Sequence, residues 1–287
     1  MEAKQIRVLN LGAGVQSTAL FLMILDGELP PVDVAFFADT GDEPQAVYSH
    51  LEYLKTLGGP EIITVSQGNL GDNLINGVNY TGQRFVAIPS YLSRDNNGSK
   101  TGLGRRQCTS EYKIKPIEAG IRAYLGLEKG ERMQKQTRIT QVFGLSYDEP
   151  KRVTRVKGAF EMRNDCWQCE FPLFEDQMNR EDCVLYLQNR LPEGYAVPRS
   201  ACVFCPFKRD SEWIALRDND PAGWQRAIDI DRAIRMETSV CTRGMNSSQY
   251  LHSSCVPLEF VELRHDPPDL QKRFAWSAMD CEGMCGV

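Results

Sequence analysis

Short apolar runs alternate with helical segments through the first half of the chain, and this alternation constrains the fold more than any other feature. Apolar runs predict strands at residues 6–11, 34–38, 62–65 and 140–143, and helical spacing predicts helices at residues 17–25 and 45–57. Strands separated by helices predict an α/β protein, with a parallel sheet and helices on both faces. Ligands of such sheets bind beyond the carboxyl ends of the strands, so we expect the chemistry in those loops.

The second half of the chain has a different pattern. From about residue 155, helical spacing predominates at residues 179–188, 210–218 and 221–236. We therefore divide the chain into a nucleotide-binding domain, residues 1–154, and a mainly helical, cysteine-rich region, residues 155–287. Residues 80–104 are rich in Ser, Asn, Gly and Arg, and they predict a long flexible loop that could act as a lid.

Composition narrows the setting in which the protein works. The 287 residues carry a formal net charge of −5, which disfavours a broad nucleic-acid surface but leaves a local basic patch open. The sequence has neither a signal peptide nor a run of about 18 apolar residues, so we expect a cytoplasmic protein with no membrane span. Ten cysteines in that setting predict thiols or metal ligands rather than disulfides.

A glycine-rich segment, NLGAGVQST at residues 10–18, follows the first predicted strand and opens the first predicted helix. Amides at a helix N-terminus favour an anion, and Gly12 and Gly14 allow the backbone to approach a phosphate closely. The segment is not a Walker loop, because no Gly-Lys-Ser/Thr follows, and it lacks the third glycine of a dinucleotide fingerprint. The alternative is a tight strand–helix turn without a ligand.

Charged residues near the other predicted strand ends could serve the same nucleotide. Asp39 could hold a ribose, an adenine or Mg²⁺, or it could simply cap a turn. Asp148 and Glu149 could bind Mg²⁺ or act as a base, with a solvated turn as the alternative. Cations that could neutralise phosphates, or form a solvated face, share one segment: Arg105, Arg106, Lys113 and Lys115.

Four segments, in order, resemble the PP-loop family of ATP pyrophosphatases, in its phosphoadenosine-phosphosulfate-reductase-like branch. They are LGAGVQS, FADTGDEP, RRQCTSEYKIKP and GLSYDEPKR, which begin at residues 11, 37, 105 and 144. The first departs from the family loop Ser-Gly-Gly-x-Asp-Ser, since the first serine and the aspartate are absent. The resemblance implies a Rossmann-like fold of the adenine-nucleotide α-hydrolase type.

The resemblance also implies roles for individual residues. It implies that Asp39, Arg105, Lys113 and Asp148 serve catalysis. It implies that ATP, with Mg²⁺, binds at Leu11, Gly12, Ala13, Gly14, Gln16, Ser17, Thr18, Asp39, Thr40 and Gly144.

The cysteines predict a second centre. Cys202 and Cys205, in SACVFCPFK, have a spacing at which two thiolates reach one metal, and Pro206 resembles the Cys-Pro ending of cluster motifs. In the family's reductases, a cysteine doublet in the Arg…Cys…Lys…Pro segment joins a downstream Cys-x-x-Cys to hold a [4Fe–4S] cluster. Here the doublet is reduced to Gln107 and Cys108. The resemblance therefore implies an iron–sulfur cluster at Cys108, Cys202 and Cys205.

The fourth ligand and the metal remain open. Cys183 is our first choice, Cys281 or Cys285 the second, and an iron without a protein ligand is a further alternative. Structural zinc competes with iron, since ligand type alone does not select the metal. The pair Cys166 and Cys169 could form a separate zinc or redox site. For Cys241 and Cys255 we expect buried small hydrophobic residues.

These features together predict an ATP-dependent adenylating enzyme that converts ATP to AMP and pyrophosphate. By resemblance to sulfurtransferases of DNA phosphorothioation and nucleobase thiolation, it would activate a nucleic-acid acceptor for sulfur insertion. A sulfur-donor protein such as a cysteine desulfurase would be its partner. One alternative is a sulfonucleotide reductase, although the reductases' Glu-Cys-Gly-x-His ending is missing from the tail. The other is a non-catalytic nucleotide-binding protein stabilised by a metal.

Overall fold

The computed structural model of the protein describes residues 4–82, 87–94, 100–163, 166–235 and 247–265. Its strands are β1 (Gln5–Asn10), β2 (Val34–Asp39), β3 (Glu61–Ser66), β4 (Tyr91–Ser93), β5 (Lys100–Leu103), β6 (Arg138–Phe143), β7 (Trp167–Glu170) and β8 (Ser248–Tyr250). Five of them form an all-parallel sheet in the order β3-β2-β1-β6-β7, and three form a small antiparallel sheet in the order β5-β4-β8.

The helices connect and cover these strands. They are α1 (Val15–Leu25), α2 (Gln45–Thr56), α3 (Leu70–Ile75), α4 (Gln107–Thr109), α5 (Lys115–Tyr124), α6 (Pro150–Glu161), α7 (Pro172–Glu175), α8 (Arg180–Arg190), α9 (Asp210–Asn219) and α10 (Pro221–Arg235). A π-helix (Ser110–Ile114) joins α4 to α5, and a 3-10 helix spans Leu258–Phe260. No helix in the described ranges has the length and apolar character needed to cross a membrane.

Alternate side chains of the inner strands enter apolar clusters on opposite faces of the parallel sheet. Leu9 and Phe37 belong to a cluster with buried residues of α1, α2 and α8. Val8 and Phe36 belong to another, with buried residues of α5. Both faces are therefore covered, as parallel sheets require. The prediction of an α/β protein with a parallel sheet and helices on both faces is confirmed.

The parallel sheet contains a strand that the sequence pattern did not predict. β7 pairs with β6 at the sheet edge, in a register that sets Ile139 opposite Trp167. Its four residues, WQCE, alternate between apolar and polar side chains, but the stretch is only four residues long, and sequence analysis interpreted its cysteine only as half of a Cys-x-x-Cys pair. β7 and most of α6 lie beyond residue 154, the boundary that we chose; the division into two domains stays a prediction.

The prediction of a long loop at residues 80–104 is wrong where β4 and β5 form. β4 is the central strand of the small sheet, with Tyr91 opposite Leu103 of β5 on one side and opposite Tyr250 of β8 on the other. Ser90 Oγ donates to Gln249 Oε1 at 2.7 Å beside it. Strands this short are not stable alone, and the partner strand β8 is remote in sequence, so local composition could not predict them.

Gly120 allows α5 to pack closely against the sheet, which generates a test of the fold. A Cβ there would lie 2.7 Å from Val65 Cγ1 and 2.8 Å from Phe36 Cε1. We expect Gly120→Ala to lower the free energy of unfolding by about 1–3 kcal/mol through overpacking. Gly158→Ala in α6 is the control, since no heavy atom lies within 4 Å of its Cβ position and alanine gains about 0.5–1 kcal/mol over glycine in a helix. Equal urea midpoints for the two variants would contradict this packing.

Candidate nucleotide and cysteine site

The glycine-rich loop lies at the carboxyl end of β1, between β2 and β6. Leu11 N donates to Phe36 O at 2.9 Å, and the Leu11 side chain is buried in the core. Ala13 has a φ of 56°, in the left-handed region that residues other than glycine seldom adopt. Gly14 then begins α1, where its N–H donates to Ser17 Oγ at 3.2 Å. The first turn of a helix leaves N–H groups without intrahelical partners, so this loop can bind an anion.

The backbone of Gly144, just after β6, lies in close contact with the backbone of the first turn of α1. A Cβ at Gly144 would lie 2.9 Å from both the Cα and the N of Ser17, and 3.1 Å from the carbonyl carbon of Gln16. Backbone atoms cannot move aside as a flexible side chain can, so only glycine fits here. The predicted nucleotide-binding residues Ser17 and Gly144 are therefore brought together.

The side chain of Gln16 is occupied by protein contacts. Its Nε2 donates to Glu149 Oε2 at 3.2 Å and to Ser146 Oγ at 3.3 Å, while its Oε1 accepts from Arg180 Nη1 at 2.7 Å. Arg152 forms an ion pair with the same Glu149. This network ties the glycine-rich loop to the turn after β6 and to α8, so any ligand contact from Gln16 would come from its backbone.

Asp148 is exposed, and its Oδ1 accepts from Arg180 N at 3.2 Å. That contact stabilises the N-terminus of α8, where a carboxylate is favoured. The catalytic role predicted for Asp148 stays a prediction.

Two buried polar atoms beside the loop, Arg152 Nε and Ser200 Oγ, have no hydrogen-bond partner among the described residues. Ser200 lies directly over the loop, since its Cβ is 3.6 Å from the position that a Cβ of Gly14 would occupy. Buried polar groups are almost always hydrogen-bonded, so such atoms mark a place for oxygen atoms of a ligand or of water. Ser200 was not among the predicted site residues.

The end of β2 forms a second wall of the site. Asp39 Oδ1 accepts from Gly41 N at 2.8 Å and from the Tyr48 hydroxyl at 2.9 Å. Burial, and then the charge of Asp39, raise the pKa of Tyr48, so Tyr48 stays a neutral donor. Thr40 is buried, and its Oγ1 donates to Glu43 Oε1 at 3.1 Å. Asp39 and Thr40 thus lie at the carboxyl edge of the sheet, as the sequence predicts.

Lys113 lies next to Glu43, a residue that sequence analysis missed. Lys113 Nζ is 3.6 Å from Glu43 Oε1, and the Glu43 side chain is 0% exposed. Glu43 Oε2 has no hydrogen-bond partner within the described part of the chain. Lys113 therefore has a buried carboxylate as its neighbour, while Arg105 is exposed. The phosphate-neutralising roles of both cations stay predictions.

The Cys-x-x-Cys segment is attached to this wall. Val203 N donates to Asp42 O at 2.8 Å, and Cys205 N donates to Cys202 O at 3.0 Å, which closes a tight turn. The two thiols are hydrogen-bonded to each other; that bond, burial and the charges of Cys205, Glu43 and Cys108 raise the pKa of Cys202. Cys108 and Cys205 thus lie close enough to Cys202 to influence its pKa, and the metal site predicted at these three thiols stays a prediction.

The structure does not bring Cys183 to these three thiols. Cys183 is 0% exposed, in the apolar cluster of α1, α2 and α8. Burial raises its pKa to about 12, so it remains a neutral thiol in a hydrophobic environment. Our first choice of fourth ligand therefore lacks support from its position. The second choices, Cys281 and Cys285, lie outside the described residues, as does Cys241.

Cys166 lies in the turn before β7, and Cys169 lies within the strand. The separate zinc or redox site predicted for this pair stays a prediction. Cys166 Sγ lies 3.7 Å from Gln134 O, and burial raises the pKa of Cys169. A cavity of about 630 Å³ runs along β7 and includes Cys169, but it contains no residue of the glycine-rich loop.

Cys255 is buried, as expected for a small hydrophobic residue, but its surroundings are those of the other thiols. It has a φ of 53°, and its Sγ lies 4.0 Å from Leu92 O of β4.

Among the described residues, no group of three or more His, Cys, Asp or Glu side chains is placed so that it could hold a metal ion. The soft thiolate donor set at Cys108, Cys202 and Cys205 nevertheless suits iron or zinc chemically.

Comparison with models of known protein families finds no match, and comparisons with curated proteins and with solved structures likewise find none.

His50 links the glycine-rich loop's helix to the C-terminal half and generates a pH prediction. Its Nε2 lies 2.9 Å from Thr18 Oγ1 and its Nδ1 lies 2.8 Å from the Tyr195 hydroxyl. Burial lowers the pKa of His50 from 6.5 to about 4. Between pH 6.5 and pH 4, His50 is therefore protonated in the unfolded chain but neutral in the folded chain. Stability should fall as the pH drops from 6.5 through 4, by up to about 3 kcal/mol.

Chemical denaturation between pH 7 and pH 4 tests this expectation. His50→Gln should be less stable at pH 7 but should lose less stability than the wild type on acidification. His265→Gln, at an exposed histidine, should parallel the wild type. Parallel pH profiles for wild type and His50→Gln would contradict the assignment of a neutral, buried imidazole.

Proposed function

We propose that this protein is an ATP-dependent adenylating enzyme that converts ATP to AMP and pyrophosphate and activates an acceptor for sulfur insertion. One observation carries the proposal. The segment with the Cys-x-x-Cys pair packs on the glycine-rich loop, with Ser200 Cβ 3.6 Å from the Cβ position of Gly14. The glycine-rich loop and the segment that carries a pair of thiols are therefore in contact, which is what coupling of nucleotide chemistry to sulfur chemistry requires.

The proposed nucleotide position follows the chemistry of the sheet edge. The phosphates lie at the first turn of α1, where Arg152 Nε and Ser200 Oγ are buried donors with no partner among the described residues. The adenosine lies between Asp39–Thr40 and Gly144, at the ends of β2 and β6. We therefore propose a fold of the adenine-nucleotide α-hydrolase type within the α/β class. The strand order of the parallel sheet is compatible with this fold.

The proposed reaction begins with attack of an acceptor oxygen on the α-phosphorus. The bond from that phosphorus to the bridging oxygen breaks, and pyrophosphate leaves with the electron pair. The N–H groups at the start of α1 and Arg152 offset the charge that develops on the phosphate oxygens, and a bound Mg²⁺ ion would supply further positive charge there. Asp39 and Asp148 are the carboxylates at the sheet edge that would hold Mg²⁺. A sulfur nucleophile then displaces AMP from the adenylated acceptor.

The acceptor and the sulfur source are proposed from the family resemblance. The acceptor is nucleic acid, the sulfur donor is a protein such as a cysteine desulfurase, and the reaction takes place in the cytoplasm. Cys108, Cys202 and Cys205 would hold an iron–sulfur cluster, with zinc as the alternative, and a cluster would supply sulfur-binding or electron-transfer chemistry. The bond from Val203 N to Asp42 O holds two of these thiols at the end of β2.

The glycine-rich loop provides the first test. Gly14→Val introduces a branched side chain between the loop and Ser200, so we expect the loss of one or two charge-assisted hydrogen bonds to phosphate. That loss corresponds to a decrease in ATP affinity of about tenfold to a hundredfold. Gly158→Val is the matched control, because its Cβ position is open. Calorimetric titration of folded protein measures both; unchanged ATP affinity in Gly14→Val would refute the phosphate site.

The products provide the second test. With ATP, Mg²⁺ and an acceptor we expect AMP and pyrophosphate in equal amounts. Formation of ADP and orthophosphate would contradict α,β-cleavage. Thiol-dependent release of sulfite from adenylyl sulfate would instead identify a sulfonucleotide reductase, and nucleotide binding without turnover would identify a binding protein.

A further inference from the structure

We propose that Cys255 is the fourth thiol of a metal-binding site formed with Cys108, Cys202 and Cys205. The inference deepens the proposed function, because it rests on the same cysteine site. It assigns to metal binding a residue that sequence analysis expected only to fill space.

The small antiparallel sheet brings Cys108 and Cys255 to one end. β5 and β8 flank β4 and both run antiparallel to it, so β5 and β8 run in the same direction. Their last residues, Leu103 and Tyr250, are both paired with Tyr91. Cys108 lies five residues beyond Leu103, and Cys255 lies five residues beyond Tyr250. Two chain segments of equal length therefore carry a thiol away from the same end of the sheet.

The Cys-x-x-Cys segment joins the Cys108 segment at this end. The Arg106 guanidinium lies 5.1 Å from the centre of the Phe207 ring. Arg106 is two residues before Cys108 and Phe207 is two residues after Cys205, so this contact joins the two cysteine segments. Cys108 and Cys202 also pack against one apolar cluster. That cluster contains residues next to two of the thiols and residues that flank the Cys255 turn: Val203, Phe204, Leu251 and Leu258.

Cys255 has the same neighbours. Its Sγ lies 4.0 Å from Leu92 O, on the strand residue that follows Tyr91. Burial raises the pKa of Tyr91, and the charges of Cys205 and Cys255 raise it further, so both thiols lie close enough to influence one phenol. Tyr91 is thus a common neighbour of Cys205 and Cys255.

The turn that carries Cys255 is fixed by side-chain hydrogen bonds. His252 Nε2 lies 2.9 Å from Asp210 Oδ1, at the start of α9, five residues after Cys205. His252 Nδ1 lies 2.7 Å from Ser254 Oγ. Cys255 itself adopts a φ of 53°, in the left-handed region that residues other than glycine seldom adopt. Contacts from a second segment therefore hold this strained turn against the Cys-x-x-Cys region.

The four thiols form a chemically consistent donor set. The Cys202 and Cys205 thiols are hydrogen-bonded to each other, as neutral thiols are, and not yet arranged around a centre. Binding of a metal would release the thiol protons to solvent and draw the side chains inward by rotation. Four thiolates suit a [4Fe–4S] cluster or a tetrahedral zinc ion.

Metal content of the full-length chain tests the inference. Wild type, Cys255→Ser and Cys183→Ala are purified anaerobically and reconstituted with ferrous iron and sulfide, and iron, acid-labile sulfide and visible absorption are measured. We expect Cys255→Ser to lose about tenfold or more in bound metal, and Cys183→Ala to retain the wild-type content. Equal metal content in wild type and Cys255→Ser, or loss in Cys183→Ala alone, would overturn the inference.

A second measurement covers variants that fail to assemble a cluster for other reasons. Cd²⁺ is titrated into the apo proteins, and the thiolate-to-cadmium absorption in the ultraviolet is recorded after circular dichroism has shown that each variant is folded. We expect Cys255→Ser to lose about a quarter of the absorption at saturation, in proportion to one thiolate of four. An unchanged band would overturn the inference, and so would loss of fold in Cys255→Ser combined with full cadmium absorption in Cys255→Ala.

Nucleotide turnover separates this inference from the proposed function. Cys255-dependent metal binding without formation of AMP and pyrophosphate would support the four-thiol site and refute the adenylating activity. AMP and pyrophosphate formation with metal binding that is independent of Cys255 would do the reverse.

Discussion

The close approach of Gly144 to the first turn of α1 is the constraint on which the carboxyl edge of the sheet depends. A Cβ at Gly144 would lie 2.9 Å from backbone atoms of Ser17, so the turn after β6 and the glycine-rich loop are in contact without an intervening side chain. This contact sets the distance between the first turn of α1 and the turn after β6. The Gln16 hydrogen bonds to Ser146, Glu149 and Arg180 then extend the contact to α8. Backbone, rather than flexible side chains, therefore defines this part of the candidate site.

A buried ion pair shapes the other wall of the site. Lys113 Nζ lies 3.6 Å from Glu43 Oε1, in a region with little exposure to solvent. Breaking such a pair leaves an uncompensated buried charge, which is more costly than the pair's net contribution to stability. The pair joins the segment after β2 to the helical stretch that begins with Gln107 and includes Cys108. It therefore holds the cysteine segment beside the sheet and places a negative and a positive charge near Cys202.

Local patterns predicted the elements whose cause is local. β2 is an apolar run and β1 is largely apolar, and the loop at residues 11–14 was recognisable from its glycines between a strand and a helix. β4, β5 and β8 were missed because they are three or four residues long and because the sheet needs the pairing of β4 with β8, which is far away in sequence. Cys255 could not be distinguished from a core cysteine for the same reason, since only the register at Tyr91 shows where it lies. No sequence pattern distinguished Ser200 and Glu43 as site residues. Each was recognised only because the structure leaves one of its buried oxygen atoms without a hydrogen-bond partner among the described residues.

The small sheet also has a consequence for the order of folding. Its strands of three and four residues are too short to persist alone, and β8 joins them only after most of the chain has been synthesised. Contacts between residues so distant in sequence carry a large loop-closure cost and form late. The parallel sheet and its glycine-rich loop can therefore form before the cysteine segments meet. A thiol-bound metal would then be acquired by a chain that is already nearly native, and its release would be an early step of unfolding.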